Sequence, residues 1–381
     1  MRWLFRPAAT LLGRLRYAHK FVVVGLVLLL PLGFVARSYV DLQHGQIALS
    51  AKERVGVAYM APLVELTALA VAARHEVSTG AELGLVDVGG AIARVEEADR
   101  RHGAALGVGR EWATARDLLL AADVAVPARA AFQAYNRALD ALLLLIVHVG
   151  DRSTLTLDPD LGTYYLMDAL QFRLPILLDV TGRAVDGAVL AEREQVGAST
   201  DVLIDLALAK GVLSSTRAAL HTGIGTSVAN SRSVELRRLA PTGLQDVDTT
   251  VSALENQLTA AVKRRTLAGL RDDVADPARK ATVRFARLTA AQLDRLLAVR
   301  IAGFSRRART VELMAIIAAL LAVWLFVGFY LSVAGPVQRM VAMLEAVANG
   351  NLDQRVVVDN RDELGFIASA LNDTVAETKA A

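Results

Sequence analysis

The chain has 381 residues, of which 54% are hydrophobic and 5% aromatic, and its formal net charge is +3. This composition is too apolar for an ordinary soluble protein and indicates membrane-spanning segments, while the small net charge gives no reason to expect nucleic acid as a partner. The lack of cysteine excludes disulfides and thiolate metal sites. Because alanine and leucine dominate and no segment shows sustained apolar–polar alternation, the sequence predicts an all-α fold.

The N-terminal region combines a basic tail, residues 1–17, with an apolar segment, residues 18–40. The tail carries arginines and no acidic residue, and the apolar segment is long enough to cross a hydrocarbon core of about 30 Å. A cleaved signal peptide is the alternative, because a basic start and a short apolar centre also fit one. No clear small-residue cleavage site follows, so a membrane anchor with a cytoplasmic tail is favoured.

A second apolar segment, residues 311–333, predicts a second transmembrane helix. Aromatic side chains at 324–330 would suit the headgroup level near its far end. The arginines at 306–309 precede this segment on the predicted outer side, which conflicts with the positive-inside rule; the first span is expected to set the orientation. A third apolar run, 142–149, is too short to span and is predicted to lie in a helical core.

The intervening residues, 41–310, predict an extracytoplasmic helical sensor domain, large for one four-helix bundle and compatible with two stacked bundles. Asp158 and Asp276 each precede a proline, which predicts helix starts, and glycine or proline clusters at 80–90, 223–225 and 241–243 predict breaks. The predicted helices are 38–79, 88–124, 127–152, 159–190, 193–222, 229–265 and 277–333. The last has no stop signal before the second span, so it could carry a displacement across the membrane.

One stretch of this domain places Tyr164, Tyr165 and Asp168 on one helical face. A carboxylate among aromatic side chains needs a hydrogen-bond donor, because an unpaired buried charge is destabilising. In one interpretation these residues line a small-molecule pocket, and Arg173 or Arg152 holds an anionic group of the ligand. In the other, which the sequence favours, Asp168 pairs with an arginine or a tyrosine hydroxyl and keeps the bundle in register.

No catalytic signature is present, and the sequence predicts neither enzyme activity nor a cofactor or metal. His75 and Glu76 superficially resemble the phosphoacceptor site of a histidine kinase, but no proline follows and the pair would lie outside the membrane, so an exposed helical histidine is expected. The remaining histidines lack metal-ligand spacing. Pro175 should bend or interrupt its helix.

Two short amphipathic helices are predicted near the C-terminal end. Apolar residues recur at 337, 340, 341 and 344, and again at 364, 367, 371 and 375, which is the spacing of a helix with one buried face. Between them lies a polar connector that opens with Asn349 and Gly350. Because two such helices cannot bury their stripes alone, a parallel four-helix coiled coil across a homodimer is predicted.

These residues resemble a HAMP domain, a signal-relay module that lies just inside the membrane of bacterial receptors. The resemblance is carried by Pro336, by the triplet 350–352, by the turn 362–365 and by 371–372, whereas Thr374 stands where the family usually has an apolar residue. It implies a HAMP domain at 334–381. The residues that it assigns to signal relay are Pro336, Gly350, Glu363 and Gly365.

The whole layout resembles the sensory half of a bacterial transmembrane receptor, with methyl-accepting chemotaxis proteins as the first choice. A histidine kinase, a diguanylate cyclase and a membrane adaptor or gene fragment are the alternatives, which the sequence past residue 381 would separate. The resemblance implies a homodimer in the inner membrane with both termini in the cytoplasm. Its expected partners are an extracytoplasmic small molecule or ligand-binding protein and, where an output module is present, cytoplasmic output machinery.

Overall fold

The computed structural model describes residues 6, 10, 12–13, 15, 17–81, 86–270, 272–357 and 361–380, and every regular element among them is helical, which confirms the all-α prediction. The helices are α1 (Tyr17–Thr79), α2 (Val88–Leu106), α3 (Gly109–Asp123), α4 (Ala128–Arg152), α5 (Leu161–Asp168), α6 (Leu174–Arg193), α7 (Thr200–Asn230), α8 (Val234–Arg264), α9 (Asp272–Ala348) and α10 (Glu363–Ala380). A 3₁₀ turn, Leu155–Leu157, precedes α5, and a π-helical turn, Ala169–Arg173, joins α5 to α6.

The chain divides into two compact units. The large unit is Gln46–Gly303, and the two-segment unit combines Met1–Gly45 with Phe304–Ala381. Helices α1 and α9 each contribute residues to both units without a break in the helix. The predicted helix 277–333 is therefore longer at both ends than the sequence indicated.

Several predicted helix boundaries were wrong, because some glycines end a helix whereas others lie inside one and make room for a neighbouring side chain. The predicted helix 88–124 is two helices, since Gly107 takes a left-handed conformation (φ 65°) and ends α2. Conversely, Gly223 and Gly243 lie inside α7 and α8. A Cβ at these positions would lie 3.0 Å from Tyr165 Cδ1 and 2.7 Å from Phe285 Cδ2, so both glycines allow an aromatic ring to pack against the helix.

Two prolines have different effects on their helices. Pro175 follows the π-helical turn, so α-helical hydrogen bonding is interrupted just before it, as predicted. Pro241 lies inside α8, where a break had been predicted, and the helix continues through it. Proline and glycine in this chain therefore mark a helix end only where the surrounding packing allows one.

The large unit has one contiguous hydrophobic core, and two separate bundle cores are not seen among the described residues. Helix α7 packs against α5, α6 and α8, and α4 packs against α3 and α6. The apolar run 142–149 lies in this core, as predicted. Its fully buried side chains are Leu142, Leu145, Ile146 and Val149. This unit therefore folds around its own buried side chains.

Among the described residues, three helices are long and apolar enough to cross a membrane: α1, α4 and α9. The most apolar part of α4 is 44% buried, whereas those of α1 and α9 are only 6% and 0% buried. Large apolar side chains such as Phe34 and Trp324 are exposed along these stretches. Such continuous apolar surface suggests a membrane protein and makes the apolar stretches of α1 and α9 candidate membrane spans.

Within the two-segment unit, the apolar stretches of α1 and α9 pack side by side. The ring of Phe21 meets those of Phe329 and Tyr330 edge to face, with centroids 5.2 and 6.0 Å apart. The backbone at Gly25 approaches the ring of Phe326, since a Cβ there would lie 3.7 Å from it. Edge-to-face rings and a glycine contact are typical of helix packing in which side chains interlock.

Candidate functional site

The C-terminal part of the two-segment unit is built from the last turns of α9, a connector and α10. Helix α9 ends at a turn in which Asn351 N donates to Ala346 O (3.0 Å) and Gly350 N donates to Val347 O (3.0 Å). Gly350 has φ 85°, a conformation that glycine adopts without strain. The predicted relay glycine is therefore the residue that stops α9.

The connector is fixed by side chains from both helices. Asn372 on α10 accepts a hydrogen bond from Val356 N (2.9 Å) and donates one to Val356 O (2.8 Å), so it binds the connector as a neighbouring strand would. Arg339 on α9 donates to Val357 O (3.0 Å). The sequence singled out Asn372 only as a landmark and gave no sign of the role of Arg339.

Helix α10 starts with an Asp cap. Asp362 Oδ1 accepts hydrogen bonds from Leu364 N (3.1 Å) and Gly365 N (3.4 Å), which satisfies amides that the first turn leaves unpaired. Glu363 lies in that first turn, where its charge favours the positive end of the helix. The fourth predicted relay residue, Pro336, is buried within α9.

The two helices share a small apolar core. Its buried members are Met340, Met343, Val356, Ala368 and Val375. The predicted stripes divide between two faces, because Val341, Leu344 and Ile367 are 49%, 50% and 51% exposed in the single chain. Thr374 is exposed and donates to Ala370 O (2.8 Å), which explains why a polar residue is tolerated there.

The predicted ligand residues of the large unit lie together at the junction of α5 and α6. Asp168 pairs with Arg173 through two hydrogen bonds of 2.9 and 3.1 Å, and the rings of Tyr164 and Tyr165 meet edge to face at 5.3 Å. Arg152 is engaged elsewhere, with Glu111 at 3.1 Å. The donor that Asp168 required is thus present, and the ligand-binding role of the four residues stays a prediction.

A buried polar cluster that the sequence did not indicate joins α1, α9 and the segment before α5. Arg300 donates to Asp158 (3.0 Å), to Thr163 and, at 3.4 Å, to Glu53. The Glu53 side chain is fully buried and its Oε1 has no hydrogen-bond partner among the described residues. Burial, followed by the negative charge of Asp158, raises the pKa of Glu53 to about 7, although Arg300 and Ser50 partly oppose the shift.

A second cluster is centred on Arg74, whose side chain is fully buried between α1, α4 and α6. Its guanidinium donates to Asp179 (2.7 Å), Asp186 (3.0 Å) and Asn136 (2.8 Å). The expectation that His75 is exposed was wrong, because its side chain is 15% exposed and Nδ1 lies 2.7 Å from Asp186. The sequence gave no indication of this cluster, because the partners of Arg74 and His75 lie 62 to 112 residues away along the chain.

Comparison with known proteins identifies one part of the chain. The family model of the HAMP domain matches residues 329–380, which covers the end of α9, the connector and α10. No curated protein and no solved structure matches the chain. A HAMP domain implies a role in signal transduction, and HAMP domains usually act in dimers.

Proposed function

We propose that the chain is the sensory part of a homodimeric transmembrane receptor that detects an extracytoplasmic ligand and relays the signal through its HAMP domain. The observation that carries the proposal is the length of α9. This single helix includes residues of the large unit, an apolar membrane-length stretch and the first helix of the matched HAMP region. A continuous helix transmits a displacement that a flexible loop would absorb.

The small core and the exposed apolar face of the HAMP region support a relay between two packings. Its own core is small, and a further apolar face stays exposed in the single chain. A second copy would cover that face and form the predicted parallel four-helix coiled coil. Two packings of such a bundle that differ by a few kcal/mol could be shifted by a ligand that binds them unequally.

The proposed topology places both termini in the cytoplasm of a bacterial inner membrane, residues 18–40 and 311–333 in the bilayer and residues 41–310 outside. A chemotaxis transducer is the output class we propose first, with a histidine kinase, a diguanylate cyclase or an adaptor as alternatives. No enzymatic activity is proposed for these residues. The relay residues proposed are Pro336, Gly350, Glu363 and Gly365.

The experiment joins residues 1–378 to the signalling half of a characterised transducer and introduces Gly365→Leu. Gly365 is half-buried, and we expect a larger side chain there to hold neighbouring backbones apart, so the variant should fix the output in one state while ligand binding is unchanged. Ala370→Leu, at an exposed position of α10, is the matched control and should respond normally. A Gly365→Leu chimera with normal response amplitude and midpoint would show that the segment is a passive linker.

A further inference from the structure

The large unit contains a cavity of about 1130 Å³ that lies apart from the four predicted ligand residues. Its walls come from the start of α5, from the connector between α7 and α8, from the first turns of α8 and from one face of α9. The volume is slightly above the usual range of small-molecule sites, roughly 300–1,000 Å³. A molecule of metabolite size therefore fits inside with water around it.

The cavity offers positive charge that no protein group neutralises. Arg232 and Arg238 are exposed in its wall, and neither guanidinium has an ion pair or a hydrogen bond among the described residues. The acidic groups of the wall are already engaged. Glu235 pairs with Arg295, and Asp160 accepts from the amide of Gly162 at 2.8 Å.

Hydroxyl donors lie beside these arginines. Ser231 Oγ accepts from Ser233 N (3.1 Å), and Ser233 Oγ accepts from Leu236 N (3.2 Å). A hydroxyl has one hydrogen to donate besides its acceptor lone pairs. Neither hydroxyl hydrogen has an acceptor among the described residues, so the wall presents donors in excess of acceptors.

Apolar side chains complete the wall. Val234 on α8 and Val299 on α9 are 75% and 64% exposed, and Leu296 of α9 also lines the cavity. Unpaired guanidinium groups and hydroxyl donors next to aliphatic surface complement a molecule with anionic groups on a short carbon skeleton.

We infer that this cavity binds a small organic anion bearing carboxylate or phosphate groups on an aliphatic skeleton. The inference rests on the proposed receptor function and names the ligand class of its sensor. Arg232 and Arg238 hold the charged groups, Ser231 and Ser233 donate to them, and the aliphatic wall contacts the carbon chain.

The test uses the full chain in nanodiscs of zwitterionic phosphatidylcholine. Binding of succinate, glutarate, adipate, inorganic phosphate and glycerol phosphate is measured by calorimetry, with succinamide as the uncharged match. At least one anion should bind, succinamide should not, and Arg232→Gln with Arg238→Gln should weaken binding by roughly tenfold or more. Thermal melting without added anion should be unchanged, because neither arginine has a partner to lose.

The matched control replaces Lys263 and Arg264 by glutamine. This pair removes the same charge from the other end of α8, about 38 Å from Arg238 at 1.5 Å per residue, and should leave affinity within about twofold. The titration is repeated in nanodiscs of anionic phosphatidylglycerol to test whether a lipid headgroup enters the cavity. A headgroup there would compete with the soluble anion and lower its apparent affinity, and it would do so only when both arginines are present. Binding by no anion in the panel, or equal weakening by both pairs, would overturn the inference.

A chimera readout separates this inference from the proposed function. An anion that binds through Arg232 and Arg238 but leaves the output unchanged supports the cavity assignment and contradicts the receptor function. An output response that survives loss of both arginines supports the receptor function and overturns the cavity assignment.

Discussion

The two units of this chain differ in how far they bury their apolar side chains. In the large unit, apolar residues of the packed helices form one contiguous core, and Leu63, Leu142 and Leu213 are fully buried. In the two-segment unit, Phe34, Leu320 and Phe366 are 74%, 66% and 80% exposed. The large unit is thus stabilised by its own packing, whereas the other unit leaves a large apolar surface exposed, which we propose is covered by lipid and by a second copy.

The two units also differ in where their charged side chains lie. The large unit buries Arg74 beside two carboxylates and places Arg300 beside Asp158. Charged groups are tolerated in its interior because their oppositely charged partners are close. In the HAMP region the ion pair of Asp353 and Lys379 lies on the surface. Salt and pH should therefore act on the two units differently.

The largest expected effect is the loss of Arg74. Arg74→Met removes the fully buried guanidinium that Asp179 and Asp186 share. Asp179 keeps Arg183 and Asp186 keeps His75, but the free energy of unfolding should still fall by about 3–5 kcal/mol. Arg100→Met, which removes an exposed pair with Glu97, should change it by less than about 1 kcal/mol. Urea-dependent hydrogen exchange of peptides from residues 46–303 measures both, and equal small losses would show that the buried cluster does not hold the unit together.

A pH effect should follow from Glu53. The folded protein keeps the Glu53 proton up to a pKa of about 7, whereas the ordinary value of 4.5 applies to the unfolded chain. The contribution is therefore complete below pH 4.5 and is lost as pH rises from 4.5 through 7, by roughly 3 kcal/mol in total.

Glu53→Gln mimics the protonated acid and should remove most of this decline. Glu65→Gln, which breaks a partly exposed pair with Arg287 (2.8 Å), should lower the melting temperature and leave its pH dependence unchanged. The measurement is the melting temperature of both variants and of the unaltered chain at pH 5, 6, 7 and 8. An unchanged slope in Glu53→Gln would mean that this carboxyl is ionised in the folded state throughout.

A smaller effect is expected at Asp168. The interpretation that the sequence favoured was a structural pair between Asp168 and an arginine or a tyrosine hydroxyl, but the side chains of Asp168 and Arg173 are 15% and 35% exposed. Asp168→Asn should therefore reduce stability by only about 1 kcal/mol. Asp205→Asn, at an exposed position of α7, is the control, and a loss as large as that of Arg74→Met would contradict this ranking.

Sequence patterns predicted the elements that depend on local order along the chain. The apolar stretches within α1 and α9, the core run 142–149 and the two HAMP helices follow from composition and helical spacing. The polar clusters around Arg74 and Arg300 could not be predicted, because they join residues that lie 62 to 247 positions apart, and such separations carry no local signal. Gly223 and Gly243 were misread for the same reason, since the rings that they accommodate, Tyr165 and Phe285, lie on other helices.

The central claim is that a second copy covers the apolar face of the HAMP region. In native membranes, single cysteines at Leu344 or Ile367 should crosslink to their copies efficiently under mild oxidation, and a cysteine at the exposed connector residue Asp353 should do so poorly. The exposed face supports this expectation, because these two side chains have no partner within the core of the single chain. Equal crosslinking at all three positions, or none at Leu344 and Ile367, would contradict a parallel HAMP dimer.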